Sequence, residues 1–156
     1  MLVENPAWLL FAASAIVVVG IVIAFRQTVS NVLSAGQMEG AEEGVPSLVQ
    51  REFTRFFIKM LVIESLPLLL VIFFFIQVLE GRGAVEVEVP LILIFLLLIF
   101  GWVNVFLTRM QVVQDPRSNE VLKKRITAHA VIIGGMLSAF PLISLALCLL
   151  ILTGSL

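Results

Sequence analysis

The chain has 156 residues, of which 60% are hydrophobic and 13% charged, and its formal net charge is -1. A soluble domain of this size cannot cover so much apolar surface, and the near-neutral balance offers no basic field to a nucleic acid. The single Cys148 excludes an intrachain disulfide.

Four apolar runs, at residues 7–25, 56–79, 89–108 and 126–152, each reach the roughly 20 helical residues needed to cross a hydrocarbon core. Lipid offers no backbone partners, so helices are expected even for the β-branched and aromatic stretch Val71 to Phe75. The expected fold is an all-α membrane protein with four transmembrane helices arranged as two antiparallel hairpins. Residues 1–80 form the first hairpin, with a cytoplasmic loop at about 27–54. Residues 81–156 form the second, with a loop at about 109–125.

The first run is preceded by Glu4 and not by basic residues, and it continues past the small residues Ala12 to Ala15. It reads as a retained helix and not as a cleaved signal. Ser14 is its mid-helix polar group. The connection that follows is expected to stay helical for a turn or two after Arg26. Gly36, Gly40 and Gly44 then break it into a loop tip. Helix resumes near Ser47, after Pro46, which suits a helix start because that N–H has no partner there.

The second run carries Glu64, an acid that cannot reach water from mid-span. It lies nine residues beyond Arg55, or about 13 Å along a helix. A carboxylate at that depth is costly when charged, so it is protonated, paired or part of an ion path. Pro67 has no N–H, which leaves the Ile63 carbonyl without its helical partner. That carbonyl and the Ser65 hydroxyl are candidate partners for Glu64. The competing reading is a packing kink at Pro67 and a Ser65 hydroxyl bonded back to its own helix.

A short link from Glu80 to Glu88, containing Gly81 and Gly83, is expected to join antiparallel neighbours. In the third run Asn104 is a candidate for a hydrogen bond across helices, towards Glu64 or as packing glue. In the fourth, Gly134, Gly135, Ser138 and Ala139 read as a close helix contact. His129 follows Lys123, Lys124 and Arg125, a cluster suited to anionic lipid headgroups. An offset of 74 places Arg51 on Arg125, Arg55 on His129, Glu64 on Ser138 and Pro67 on Pro141. This reads as an ancient hairpin duplication. Ser14, Asn104 and Ser138 are the polar groups that helix packing or an ion path would use.

Nine of the ten basic residues lie in or beside the first and third connections, and only Arg82 lies in the second. The positive-inside rule puts both basic loops in the cytoplasm and both termini outside. No metal-ligand spacing, nucleophile constellation or phosphate-binding glycine loop is present, so neither a metal nor another cofactor is expected, and no enzymatic activity for the chain by itself.

The segment from Phe57 through Glu64-Ser65-Leu66-Pro67-Leu68 to Ile76 resembles the second helix of subunit c, the rotor-ring proteolipid of rotary ATP synthases and ATPases. Pro46 and Gln114-Asp115-Pro116-Arg117 are similar to that family's polar loop. The resemblance implies a proteolipid-like subunit in a bacterial cytoplasmic membrane, with Glu64 carrying a proton in preference to sodium. It also implies other membrane subunits as partners and a homo-oligomer as one form. Two departures stand out: the first run has only Gly20 where the family has regular glycines, and Ser138 stands where a second acid would be. The alternatives are a non-catalytic accessory subunit, with Glu64 in a buried interhelix hydrogen bond, and a small independent transporter or channel.

Overall fold

A computed structural model describes residues 5–38, 45–81, 85–116, 118 and 120–154. They form four helices: α1 (Ala7–Met38), α2 (Val45–Leu79), α3 (Glu88–Gln114) and α4 (Glu120–Leu152). There are no strands among the described residues. All four helices are long and apolar enough to cross a membrane, which fits a membrane protein.

The ends of the helices follow local chemistry. The Asn5 Oδ1 accepts a hydrogen bond from the Ala7 N–H at 3.1 Å, and the Asn5 Nδ2 donates to the Glu86 carbonyl at 2.7 Å. One side chain thus caps α1 and ties it to the segment before α3. α3 stops at Asp115-Pro116, because a residue before proline is driven out of the helical region. α2 and α4 are followed by Gly81 (φ 63°) and Gly154 (φ 67°), the left-handed positions where a chain leaves a helix most easily.

α1 runs to Met38, well past the expected turn or two. Gly36 lies inside it and does not break it, contrary to expectation; Gly40 and Gly44 lie outside the described residues. One glycine costs a helix about 1 kcal/mol. Packing just upstream outweighs that, since Val29 and Val32 are buried in one cluster with Val49 and Phe53 of α2. α2 correspondingly begins at Val45, with Pro46 in its first turn.

α1 is the hub. It packs against α2, α3 and α4, and α3 also packs against α4. α2 and α3, though consecutive, are not a closely packed pair, so the expected neighbour contact across the Glu80–Glu88 link is not formed along the helices. The asymmetry is large: 56% of the apolar stretch of α1 is buried, against 17% of that of α2. Two apolar clusters are stacked along the bundle. One joins Phe25, Phe53, Phe56, Val112 and Ile126. The other joins Leu10, Phe74, Ile94 and Cys148.

One buried polar pair links α1 to α4. The Ser14 hydroxyl donates to the Ser144 Oγ at 3.0 Å, and the Ser144 hydroxyl donates to the Leu10 carbonyl at 3.4 Å. Both serines are fully buried. Ser144→Ala strands the Ser14 donor, whereas Ser14→Ala removes only a donor to a hydroxyl that keeps its own acceptor. Ser14→Ala is expected to cost about 0.6 kcal/mol, typical of an interhelical hydrogen bond in a membrane, and Ser144→Ala to cost more. Denaturing-detergent titration reads both; equal losses would contradict this proton assignment.

Candidate functional site

Glu64 sits on the flank of the α2 stripe that faces α1. Phe53, Phe56, Met60, Pro67 and Phe74 are the buried members of that stripe, spaced at three, four and seven residues as a helix face requires. Ile63 reaches into the space left by Gly20 of α1; a Cβ there would lie 2.7 Å from the Ile63 Cγ2. The close approach of α1 and α2 at Gly20 therefore fixes the turn of α2 on which the acid stands. Glu64 itself is half-buried, and Leu61, Val62, Leu66 and Leu68 around it are exposed. Among the described residues the carboxyl has no hydrogen-bond or ion-pair partner.

The other predicted groups are not gathered around it. The Ser65 hydroxyl donates to the Val62 carbonyl at 2.7 Å, bonded back to its own helix. Pro67 is buried within α2, and with no N–H it leaves the Ile63 carbonyl unfilled. Asn104 is buried, but its Nδ2 donates to the Phe100 carbonyl of its own helix at 2.8 Å and not towards Glu64. Ser14 is held by Ser144. The Ser138 hydroxyl donates to the Gly134 carbonyl at 2.7 Å and accepts from the Trp102 Nε1 at 2.9 Å. Only the Ser14–Ser144 and Trp102–Ser138 hydrogen bonds cross between helices, and none of these contacts leads to Glu64.

Trp102 bridges α3 to α4 at the lipid-facing edge of the bundle. Its ring lies against Gly134, where an added Cβ would be 2.8 Å from it. Gly134 and Ser138 make the close helix contact the sequence points to, while Gly135 faces open space. His129 stacks on Phe53 of α2, with ring centroids 3.8 Å apart, and its Nδ1 lies 2.8 Å from the Arg125 carbonyl. A carbonyl only accepts, so the Nδ1 carries the hydrogen.

Several buried polar groups escape the sequence reading, among them Ser144, Glu52 and Gln77. Glu52 is only 9% exposed; its carboxylate accepts from the Arg55 guanidinium at 3.0 Å and from the Asn31 Nδ2 at 3.3 Å. The Glu52–Arg55 spacing of three residues on a helix was the available signal. Gln77 is buried near the other end of α2, and its Oε1 has no partner among the described residues. Within the span Glu64 is thus the carboxyl without a fixed polar environment, and Glu52 the one with it. No group of three or more potential metal ligands occurs among the described residues.

Compared with known protein families, with characterised proteins and with solved structures, the chain matches none.

Proposed function

We propose that the protein is an integral membrane subunit of a larger ion-translocating assembly, with Glu64 as a proton-carrying group offered sideways from α2. This is the role implied by the likeness of the Glu64-Ser65-Leu66-Pro67 segment to the rotary proteolipids. The observation that carries it is the position of Glu64: a half-buried carboxyl with no partner among the described residues, on the helix that the bundle covers least. A carrier has to release and regain its proton against a neighbouring subunit, so its carboxyl must be reachable from the side of the bundle. The chain itself hydrolyses nothing on this reading. It lies in a bacterial cytoplasmic membrane as two antiparallel hairpins, with both termini outside, as the basic loops require. The two stacked clusters support that path, since each gathers alternate ends of successive helices.

A second reading, a non-catalytic accessory subunit, is favoured by a different observation. The spaces at Gly20, Gly101 and Gly134 are filled by Ile63, Leu137 and Trp102 of the same chain. These glycines close the bundle on itself and do not serve contact between copies. Glu64 would then hydrogen-bond to a partner subunit.

Dicyclohexylcarbodiimide, which modifies protonated carboxyls in apolar surroundings, separates the two readings. The carrier reading expects selective modification of Glu64 in the native membrane, declining at alkaline pH, with Glu52 spared by its Arg55 and Asn31 partners. Peptide mapping checks it. An unmodified Glu64, together with one or two copies of the chain per assembly, supports the accessory role.

A further inference from the structure

A narrow groove of about 230 Å³ runs along the outer face between α3 and α4. Trp102 and Phe106 of α3 and Ala130 and Val131 of α4 supply apolar walls, and Arg109 and Thr127 stand at its polar end. Arg109 lies five residues before the end of α3, or about 8 Å along the axis, and Trp102 about 10 Å deeper. An apolar strip running inward from one cation matches the shape and polarity of a lipid: chain below, headgroup above.

The cation is held ready. The Arg109 Nε donates to the Thr127 Oγ1 at 3.2 Å, which bridges α3 to α4 and fixes the plane of the guanidinium. Its two terminal NH₂ groups have no partner among the described residues, and neither has the Thr127 O–H. A guanidinium fork beside a hydroxyl donor is a phosphate-binding arrangement. Lys124 and Arg125, exposed on the first turns of α4, also lack an acidic partner among the described residues, whereas Lys123 is paired with Glu120 at 3.5 Å. Lys124 stands one turn before Thr127 on the same face of α4 and adds a second uncompensated cation at the groove's polar end, whereas Arg125 shares the face of His129, which turns towards α2.

We infer that the α3–α4 face is a binding site for one anionic phospholipid, with its phosphate on Arg109 and Thr127 and one acyl chain along the groove to Trp102. The inference needs only that the chain spans a bilayer; it stands or falls apart from any role of Glu64. A site of this kind makes the lipid a clasp between α3 and α4.

Trp102 reports on the site directly, because it lines the groove and is 45% exposed. The chain has two tryptophans, so Trp8→Phe leaves Trp102 as the only indole. That variant is reconstituted in phosphatidylcholine vesicles containing a minority of phosphatidylglycerol, with bromine placed on the chains of one lipid or the other. Brominated phosphatidylglycerol is expected to quench Trp102 about fivefold more per mole fraction than brominated phosphatidylcholine, the enrichment given by about one favourable cationic contact at the surface. Arg109→Gln abolishes the excess, Lys124→Gln reduces it, and millimolar inorganic phosphate leaves it intact. Should Arg109→Gln fail to fold, Thr127→Val reads the same site and is expected to lower the excess. Equal quenching by the two lipids overturns the inference. So does an excess that survives removal of Arg109 or Thr127, and so does displacement by inorganic phosphate, which would make the site one for free phosphate.

Discussion

Glu64→Gln is expected to abolish proton translocation by the native assembly while leaving the bundle folded. Glutamine keeps the shape and the hydrogen-bonding capacity of a neutral carboxyl but has no proton to release in this range. Nothing in the fold depends on the charge, because the carboxyl has no intrachain ion pair or hydrogen bond among the described residues. A charged acid at mid-span costs roughly 2.5–3.5 kcal/mol on insertion scales, so the glutamine variant should be as stable as the parent or more so. Glu64→Asp keeps the proton but withdraws the group by one methylene towards α2, and should retain part of the activity. The measurement is acidification by membrane vesicles driven by the intact assembly, alongside the amount of assembled complex. Full pumping by the glutamine variant would end the carrier reading. Lost pumping with a lost complex would favour the accessory one.

The largest structural effect is expected at Gly101. It is buried where α3 meets both α1 and α4. A Cβ added there would lie 2.5 Å and 3.0 Å from the two terminal methyls of Leu137 and 3.1 Å from the Val18 Cγ1. An alanine can be met by a shift of the flexible Leu137 end. A valine cannot, because its second branch meets Val18 on the central helix. Overpacking of this kind costs about 1–3 kcal/mol, so Gly101→Val should lower the unfolding free energy obtained by denaturing-detergent titration by that amount. Gly135→Val is the control: the position is exposed, nothing lies within 4 Å of its Cβ, and the substitution should be near neutral. A harmless valine at 101 would mean that α3 does not approach α1 as described.

The number of helices and their approximate spans were legible because hydrocarbon imposes one rule on every backbone group, and four uninterrupted apolar runs satisfy it in only one way. Glu64 was legible for the same reason, as the exception within such a run. The place of each helix was not legible. All four runs are similarly apolar, so hydropathy carries no record of which one the others surround. The only written hint that α1 is central is the presence of Ser14, whose hydroxyl needs a protein partner and finds it in Ser144. Gly36 misled because helix propensity is a weak term beside the packing of Val29 and Val32 against α2. Glu52 went unnoticed because it precedes the apolar run that begins at residue 56, in a helical lead-in expected to meet water. In a helix the same residue shares a face with Phe53 and Phe56 and is buried with them. Asn104 illustrates a further limit: composition shows that a buried amide needs a partner, but not that the nearest one is a carbonyl of its own helix.

The hub position of α1 bears on how the molecule is made. Of the four helices, the one that the other three pack against is made before them, so the sides that they will later cover begin by facing acyl chains. Its only early companion is α2, which meets it through Gly20 and Ile63. The Ser14 hydroxyl waits for Ser144, which is synthesised 130 positions later. Insertion is therefore expected to be stepwise: α2 joins α1 first, α3 settles on α1 next, and α4 then closes the Ser14–Ser144 hydrogen bond.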